Sequence, residues 1–313
     1  MAMFIVRRLA FGVSLILFAT TLTFFLVHRD GIEVARTILG ESATQDAVLA
    51  RSEALGLDRP VVVQFLSWLG DAVRGNLGTS YFSTDSVASI LVSRTPVTLS
   101  IVAGGVLLTA LVSVGLGMLA AVRGGWADRS VQVLSVLGMS LPNFWVALMF
   151  VLLFAVTWQI FPATGYVSPD VSATGWLASI TLPVVALALS GIAAATQQVR
   201  GAVIDLLEAD FVRTLRSRGI PERSILFRHA LKNAASPALT VLSLQFIGLL
   251  GGAIVIEKVF ALPGLGTTAV TATIRGDVPV LLGVVAVTVV IVVVVNLVID
   301  IVNGWVNPKV TLQ

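Results

Sequence analysis

Six apolar runs, each about as long as the 17–25 residues a helix needs to cross a bilayer, limit how this chain can fold. They cover residues 9–27, 97–122, 131–158, 176–196, 239–256 and 280–302. All are rich in Leu, Val, Ala and Gly, and none alternates apolar with polar residues. Without a two-residue period they are expected to be helices rather than barrel strands. Hydrophobic residues make up 57% of the chain and charged residues 12%, with a mean hydropathy of +0.98. Soluble domains carry roughly 45–50% and about 25%. A soluble core could not hide this much apolar surface, so lipid is the expected solvent. The chain has no cysteine, which excludes disulfides and thiolate metal sites.

Two readings compete for the first run. Arg7 and Arg8 ahead of it suit a signal peptide, but the run is long for a 7–15-residue signal core, and no clear small-x-small cleavage site follows. An uncleaved anchor is the expectation. Basic residues then orient the chain. Arg7 and Arg8 precede the first run, and Arg123 and Arg129 separate the second from the third. Arg200, Arg213, Arg216, Arg218, Arg223, Arg228 and Lys232 lie between the fourth and fifth, and Lys309 lies in the tail. The segment QIFPATGYVSPDVSATG, between the third and fourth, has none. The positive-inside rule puts both termini in the cytoplasm. The loop after the first run carries six basic and eight acidic residues and is expected outside. The organisation expected is an N-terminal helix over 1–28, an external helical loop over 29–96, a five-helix core over 97–305 and a tail over 306–313.

The polar block EADFVRTLRSRGIPERSILFRHALKNA, residues 208–234, lies within the cytoplasmic loop 200–236. Topology alone would need only a short basic loop. Here Phe211 and Leu215 stand at i, i+4, Gly219 is placed to end a helix at positive φ, and Pro221 suits the first turn of another. Ile225, Leu226, Ala230 and Leu231 give that second helix an apolar face, and Pro237 marks the entry to the fifth run. The block reads as helix, tight turn, helix. Arg213, Arg216 and Arg218 offer charge-assisted contacts to a partner. In the external loop, Asp58 is expected to cap a helix opened by Pro60, with Val62, Phe65, Leu66, Leu69 and Val73 in one stripe. A short helix over 83–93 is expected to lead through Pro96 into the second run.

Polar residues inside the runs leave alternatives open. Asn296, Asp300 and Asn303 share one helix face, for packing and capping or for translocation. Gln245 stands near Gly248 and Gly252, whose G-x-x-x-G spacing allows close helix approach or a pore wall between subunits. The chain lacks G-x-x-x-x-G-K-[ST] and H-E-x-x-H, and its two histidines, His28 and His229, are far apart. It therefore has no nucleotide-cradling loop and no zinc-protease signature. Few ionisable residues fall at midplane depth, which argues against an ion-coupled secondary transporter.

The block at 208–234 resembles the cytoplasmic EAA loop of binding-protein-dependent ABC importer permeases. Their general pattern, E-A-A-x3-G-x9-I-x-L-P, is met less well than that of the dipeptide/oligopeptide branch. DFVRTLRSRGI, RHALKNA and Pro237 match that branch, apart from Leu215 where a small residue is usual. LGLDRPVVVQFLSWLGDAVRGNLGTSY (55–81), SLPNFWVALMFVLLF (140–154), VFALPGLGTTAVTATIRGDVPVLLGVV (259–285) and NPKV (307–310) resemble further segments of it, in order. RDGIEVA departs from the usual P-G-D-P.

The resemblance implies an all-α membrane protein with six transmembrane helices in the type I ABC importer permease fold. It implies the permease subunit of a peptide importer in a bacterial or archaeal cytoplasmic membrane. The implied partners are a second permease subunit, two ABC ATPase subunits, an external substrate-binding protein and the lipid bilayer, with no nucleic acid. No cofactor is implied for this chain, since ATP and Mg belong to the ATPases. Asp210, Phe211, Arg213, Thr214, Leu215, Arg216, Ser217, Arg218 and Gly219 would couple to the ATPase. Gln245, Gly248, Gly252, Asn296 and Asp300 are candidates for the translocation path or the subunit interface. The alternative is a secondary transporter or channel-like protein working without ATPases.

Overall fold

The computed structural model describes residues 2–28, 31–225 and 231–306. Among these, the regular structure is helical: α1 (Ala2–Val27), α2 (Gly31–Leu39), α3 (Gln45–Ala54), α4 (Val61–Val73), α5 (Val87–Arg123), α6 (Gly125–Ser140), α7 (Asn143–Phe150) with a π-helical continuation (Val151–Thr157), α8 (Ala173–Glu208), α9 (Asp210–Ser217), the single turn α10 (Glu222–Ser224), α11 (Leu231–Val259), α12 (Leu265–Arg275) and α13 (Val278–Val306). Five helices are long and apolar enough to cross a membrane, and α6 with the α7 segment makes a sixth crossing if the bent pair is one span. α13 is Val-rich, and β-branched residues favour strands in water. In lipid the demand that every peptide group be paired within its own segment overrides that preference.

The chain divides into two compact units. One takes in α1–α4, the start of α5, and Pro263–Val294. Its core joins Phe24, Phe65, Val278 and Leu282, with the Phe24 and Phe65 rings 5.2 Å apart. A second cluster joins Val87, Leu91, Leu265, Ala272 and Val280. The other unit runs from Thr98 to Leu262 and takes in the chain from Val295. There α6, α7 and α11 pack around α8. Small residues set the spacing. A side chain at Gly117 would meet Val199 Cγ1 at 2.7 Å and the Arg200 backbone nitrogen at 3.1 Å, and one at Gly138 would meet Ala193 Cβ at 3.1 Å.

Four local expectations need correction. The third apolar run is not one straight helix: α6 and the α7 segment meet at a 97° bend. Pro142 has no N–H to continue α6 and instead stands as the N-cap of α7. The 83–93 segment is not a separate helix, because α5 runs unbroken from Val87 with Pro96 inside it. Pro237 likewise lies within α11. Asp58 does not cap α4, whose N-cap is Pro60 with no side-chain hydrogen bond. Of the α4 stripe, Phe65 is buried while Val62, Leu66 and Val73 are exposed. The readings of Leu226, His229 and Ala230, and of the tail from 307, fall outside the described residues.

Gly117→Ala should lower the thermal midpoint of the detergent-solubilised chain, by a cost of about 1–3 kcal/mol for overpacking. Gly115→Ala, two residues away and with no atom within 4 Å of the new methyl, should not. Equal effects on a melting curve would disprove close packing of Gly117 on Val199.

Candidate functional site

The polar block folds into a short helix between two abrupt turns. α8 ends at Glu208, and Ala209, at φ −64° and ψ 145°, redirects the chain into α9. At the other end Gly219 takes φ +75°. Its N–H donates to the Arg216 carbonyl at 2.9 Å, and that of Ile220 to the Leu215 carbonyl at 3.2 Å. This pair of bonds is a Schellman ending, which needs a residue free to enter the left-handed region. Pro221 then caps the turn Glu222–Ser224.

α9 is strongly two-faced. Val212 is fully buried and is its anchor, while Leu215 is half-buried. Phe211, 41% exposed, faces outward with Arg213, Thr214, Ser217 and Arg218. Thr214 Oγ1 donates to the Asp210 carbonyl at 3.1 Å and Ser217 Oγ to the Thr214 carbonyl at 2.9 Å. Arg213 lies 3.8 Å from the Asp210 carboxylate at the helix start.

Arg216, an exposed member of α9, has partners within the loop itself. Its Nε donates to Glu222 Oε1 at 2.6 Å and its Nη2 to Oε2 at 3.4 Å, a forked pairing. Its Nη1 reaches the Leu207 carbonyl at 3.4 Å. One guanidinium thus links the last turn of α8, the body of α9 and the start of α10. Nearby, Arg200 on α8 makes two hydrogen bonds to Asp128 on α6, which also accepts from Gln132 at 2.9 Å.

The residues proposed inside the apolar runs separate into two groups. Gln245 and Gly248 line a cavity of about 320 Å³ together with Met139, Asn143, Ser190 and Gly191. Gly248 has no atom near its Cβ position, whereas a side chain at Gly252 would meet Leu187 at 3.2 Å. The G-x-x-x-G pair therefore divides its work: Gly252 packs and Gly248 opens onto space. Asn296 is elsewhere and accepts a hydrogen bond from Ser243. Asp300 and Asn303 are half-buried further along α13.

Several polar positions escaped the sequence reading. Glu257, fully buried, accepts from Thr98 Oγ1 at 2.5 Å. It stands one residue past the apolar run 239–256, so hydropathy alone does not place it inside the span. Asp277 is buried and accepts from Ser80 Oγ and, at 3.1 Å, from the Tyr81 N–H. Burial pushes its carboxyl up from the ordinary carboxylate range, against the hydrogen bonds that favour the charged form. Tyr81 is pushed up to about 12, first by burial and then by the Asp277 charge.

A helical membrane protein, with a short two-faced helix held rigidly beyond the end of one span, has the build of a transport permease. The chain belongs to the family of binding-protein-dependent transport system inner membrane components: residues 113–312 match its family model, and residues 1–102 match the model for its N-terminal part. It is 37% identical over 311 residues to a putative peptide transport system permease protein of Brucella abortus, covering 99% of both chains. It is 33% identical to the probable D,D-dipeptide transport system permease protein DdpB of Escherichia coli, covering 98% of this chain and 97% of DdpB. It is 30% identical to the oligopeptide transport system permease protein AppB of Bacillus subtilis, covering 99% of both. Among solved structures, the MetNI methionine ABC transporter in inward-facing conformations matches with a TM-score of 0.59 at 17% identity, over 70% of this chain and 97% of that one. The fold is that of a type I ABC importer permease.

Val212→Ala should destabilise the chain by about 2 kcal/mol, the transfer and cavity cost of a buried Val side chain. Phe211→Ala should change stability little. Thermal unfolding in detergent checks the contrast, and equal losses would mean that α9 is not anchored through Val212.

Proposed function

We propose that this chain is one of two permease subunits of an ATP-driven importer of peptides, and that α9 is the surface on which an ATPase subunit seats. The carrying observation is the bracing of α9: two abrupt turns, a buried Val212 and the Arg216–Glu222 fork hold it. A loop needed only for topology has no use for such bracing. Phe211, Arg213, Thr214, Ser217 and Arg218 remain outward for docking, while Asp210, Leu215, Arg216 and Gly219 set the helix in position. The names of the relatives, peptide and dipeptide permeases, support the substrate class.

On this reading the loop 200–236 and both termini lie in the cytoplasm, and residues 29–96 face outward toward a substrate-binding protein. The chain itself is non-catalytic. ATP and Mg are bound by the ATPase subunits, whose closure moves α9 as a body and tilts the spans attached to it. A second permease completes the path.

Affinity recovery of the tagged chain from mild detergent tests the assembly. A Walker-motif ATPase and a second permease should come with it. The chain recovered alone would favour a transporter working without ATPases. Gly219→Pro should abolish uptake while membrane insertion is kept, because proline cannot take φ +75°; uptake at the original rate in vesicles would remove α9 from the coupling path. Arg216→Glu and Glu222→Arg should each impair uptake, and the double exchange should restore much of it. If Arg216 instead bound the ATPase directly, the exchange would rescue nothing.

A further inference from the structure

The cavity beside α8 is unusual for its setting. Asn143 from α7, Ser190 from α8 and Gln245 from α11 all line it. All three positions lie in helices that qualify as membrane spans or in the bent pair. None of these side chains has a hydrogen-bond partner among the described residues. The Thr109 hydroxyl, fully buried, also lacks one among the described residues. It stands with Gln245 Oε1 against Gly191, 3.2 and 3.4 Å from where a Cβ would project. The three lining side chains are half-buried, and the Thr109 hydroxyl beside them is fully withdrawn from water, where an unpaired polar group costs free energy. Several converging on one space call for an occupant that donates and accepts hydrogen bonds.

The lining also defines the occupant's chemistry. It contains no charged residue: Met139, Leu187, Ala194 and Leu249 are apolar, and the polar members are two carboxamides and a hydroxyl. A carboxamide offers both an N–H donor and a carbonyl acceptor, which matches a peptide group edge to edge. The wall gives no ionic grip on charged side chains or chain ends. Lipid tails would leave all three groups unpaired. The bend at Pro142 brings the start of α7 to this wall, and broken helices within a membrane are tolerated where they line a cavity.

We infer that this cavity is a transit station for the peptide main chain, where Asn143, Ser190 and Gln245 hydrogen-bond a backbone amide of the passing substrate. This rests on the peptide-importer reading above. Neutral hydrogen bonds suit transit, because a station must hold its cargo weakly enough to release it. They also ignore side-chain identity, so the station would serve many sequences.

The test uses the complete importer in proteoliposomes with a mixture of isotope-labelled alanine peptides of two to five residues, counted inside by mass spectrometry. Asn143→Leu with Gln245→Leu should lower uptake about tenfold, the loss expected for two neutral hydrogen bonds. Unchanged uptake overturns the station. Separately, Gly248→Cys provides the sole thiol of a chain that has no cysteine. In the assembled complex it should react with a water-soluble maleimide, and the peptide mixture with binding protein and ATP should slow that reaction several-fold. A thiol that reacts unslowed overturns the proposal, as does one shielded whenever the second permease is present, since the cavity would then be a subunit contact. If the unaltered complex imports no peptide, the importer reading fails and the station with it. Import without thiol protection overturns the station alone.

Discussion

Pairing of the backbone polar groups is the constraint on which the rest of this structure depends. In a hydrocarbon medium an unpaired N–H or C=O costs several kcal/mol. Each crossing must therefore be a helix, even the Val-rich α13. Among the described residues, several departures from helix show what satisfies the backbone in its place. The Schellman bonds at Gly219 do so at the end of α9. At α12 the Asp277 N–H reaches the Ala272 carbonyl at 2.8 Å. The break at Leu141–Pro142 falls where proline has no N–H to satisfy.

Sequence reading followed this constraint well where the signal was local. Apolar runs gave the crossings, and Gly219 gave a helix end because only a residue without Cβ enters that conformation freely. It failed where composition stayed apolar through a change of direction: SLPNFWV looks like uninterrupted span, and one proline outweighs the hydropathy around it. It also failed where geometry depends on residues far apart in the chain. Ser80 and Asp277, 197 positions apart, are hydrogen-bonded, and each lies in a different one of the segments that resemble the peptide-permease branch. The Arg216–Glu222 fork is not legible in the sequence, because Glu222 becomes a neighbour of Arg216 only after the chain turns at Gly219.

α8 connects the two features of functional interest. Ser190 lines the cavity, and the Leu207 carbonyl receives Arg216. Both are on one unbroken helix, about 26 Å apart at 1.5 Å per residue. α9 follows after the single residue Ala209, without an intervening soft loop. On the proposed reading, a displacement of α9 reaches the cavity wall through one stiff rod, and the Arg200–Asp128 pairing carries it to α6 as well.

The bend between α6 and α7 also bears on the surrounding bilayer. The 16 residues of α6 reach about 24 Å, short of a hydrocarbon layer of about 30 Å. Neither limb of the bent pair is long enough to be a full crossing by itself, and with 97° between them the two cannot both stand upright in a bilayer. Val133, Leu134, Leu137, Phe144, Trp145 and Leu148 are exposed along them. Where lipid rather than a partner subunit covers these side chains, a limb tilted this far displaces more lipid area than an upright helix of equal length, so membrane thickness and acyl-chain order bear on the chain at this point.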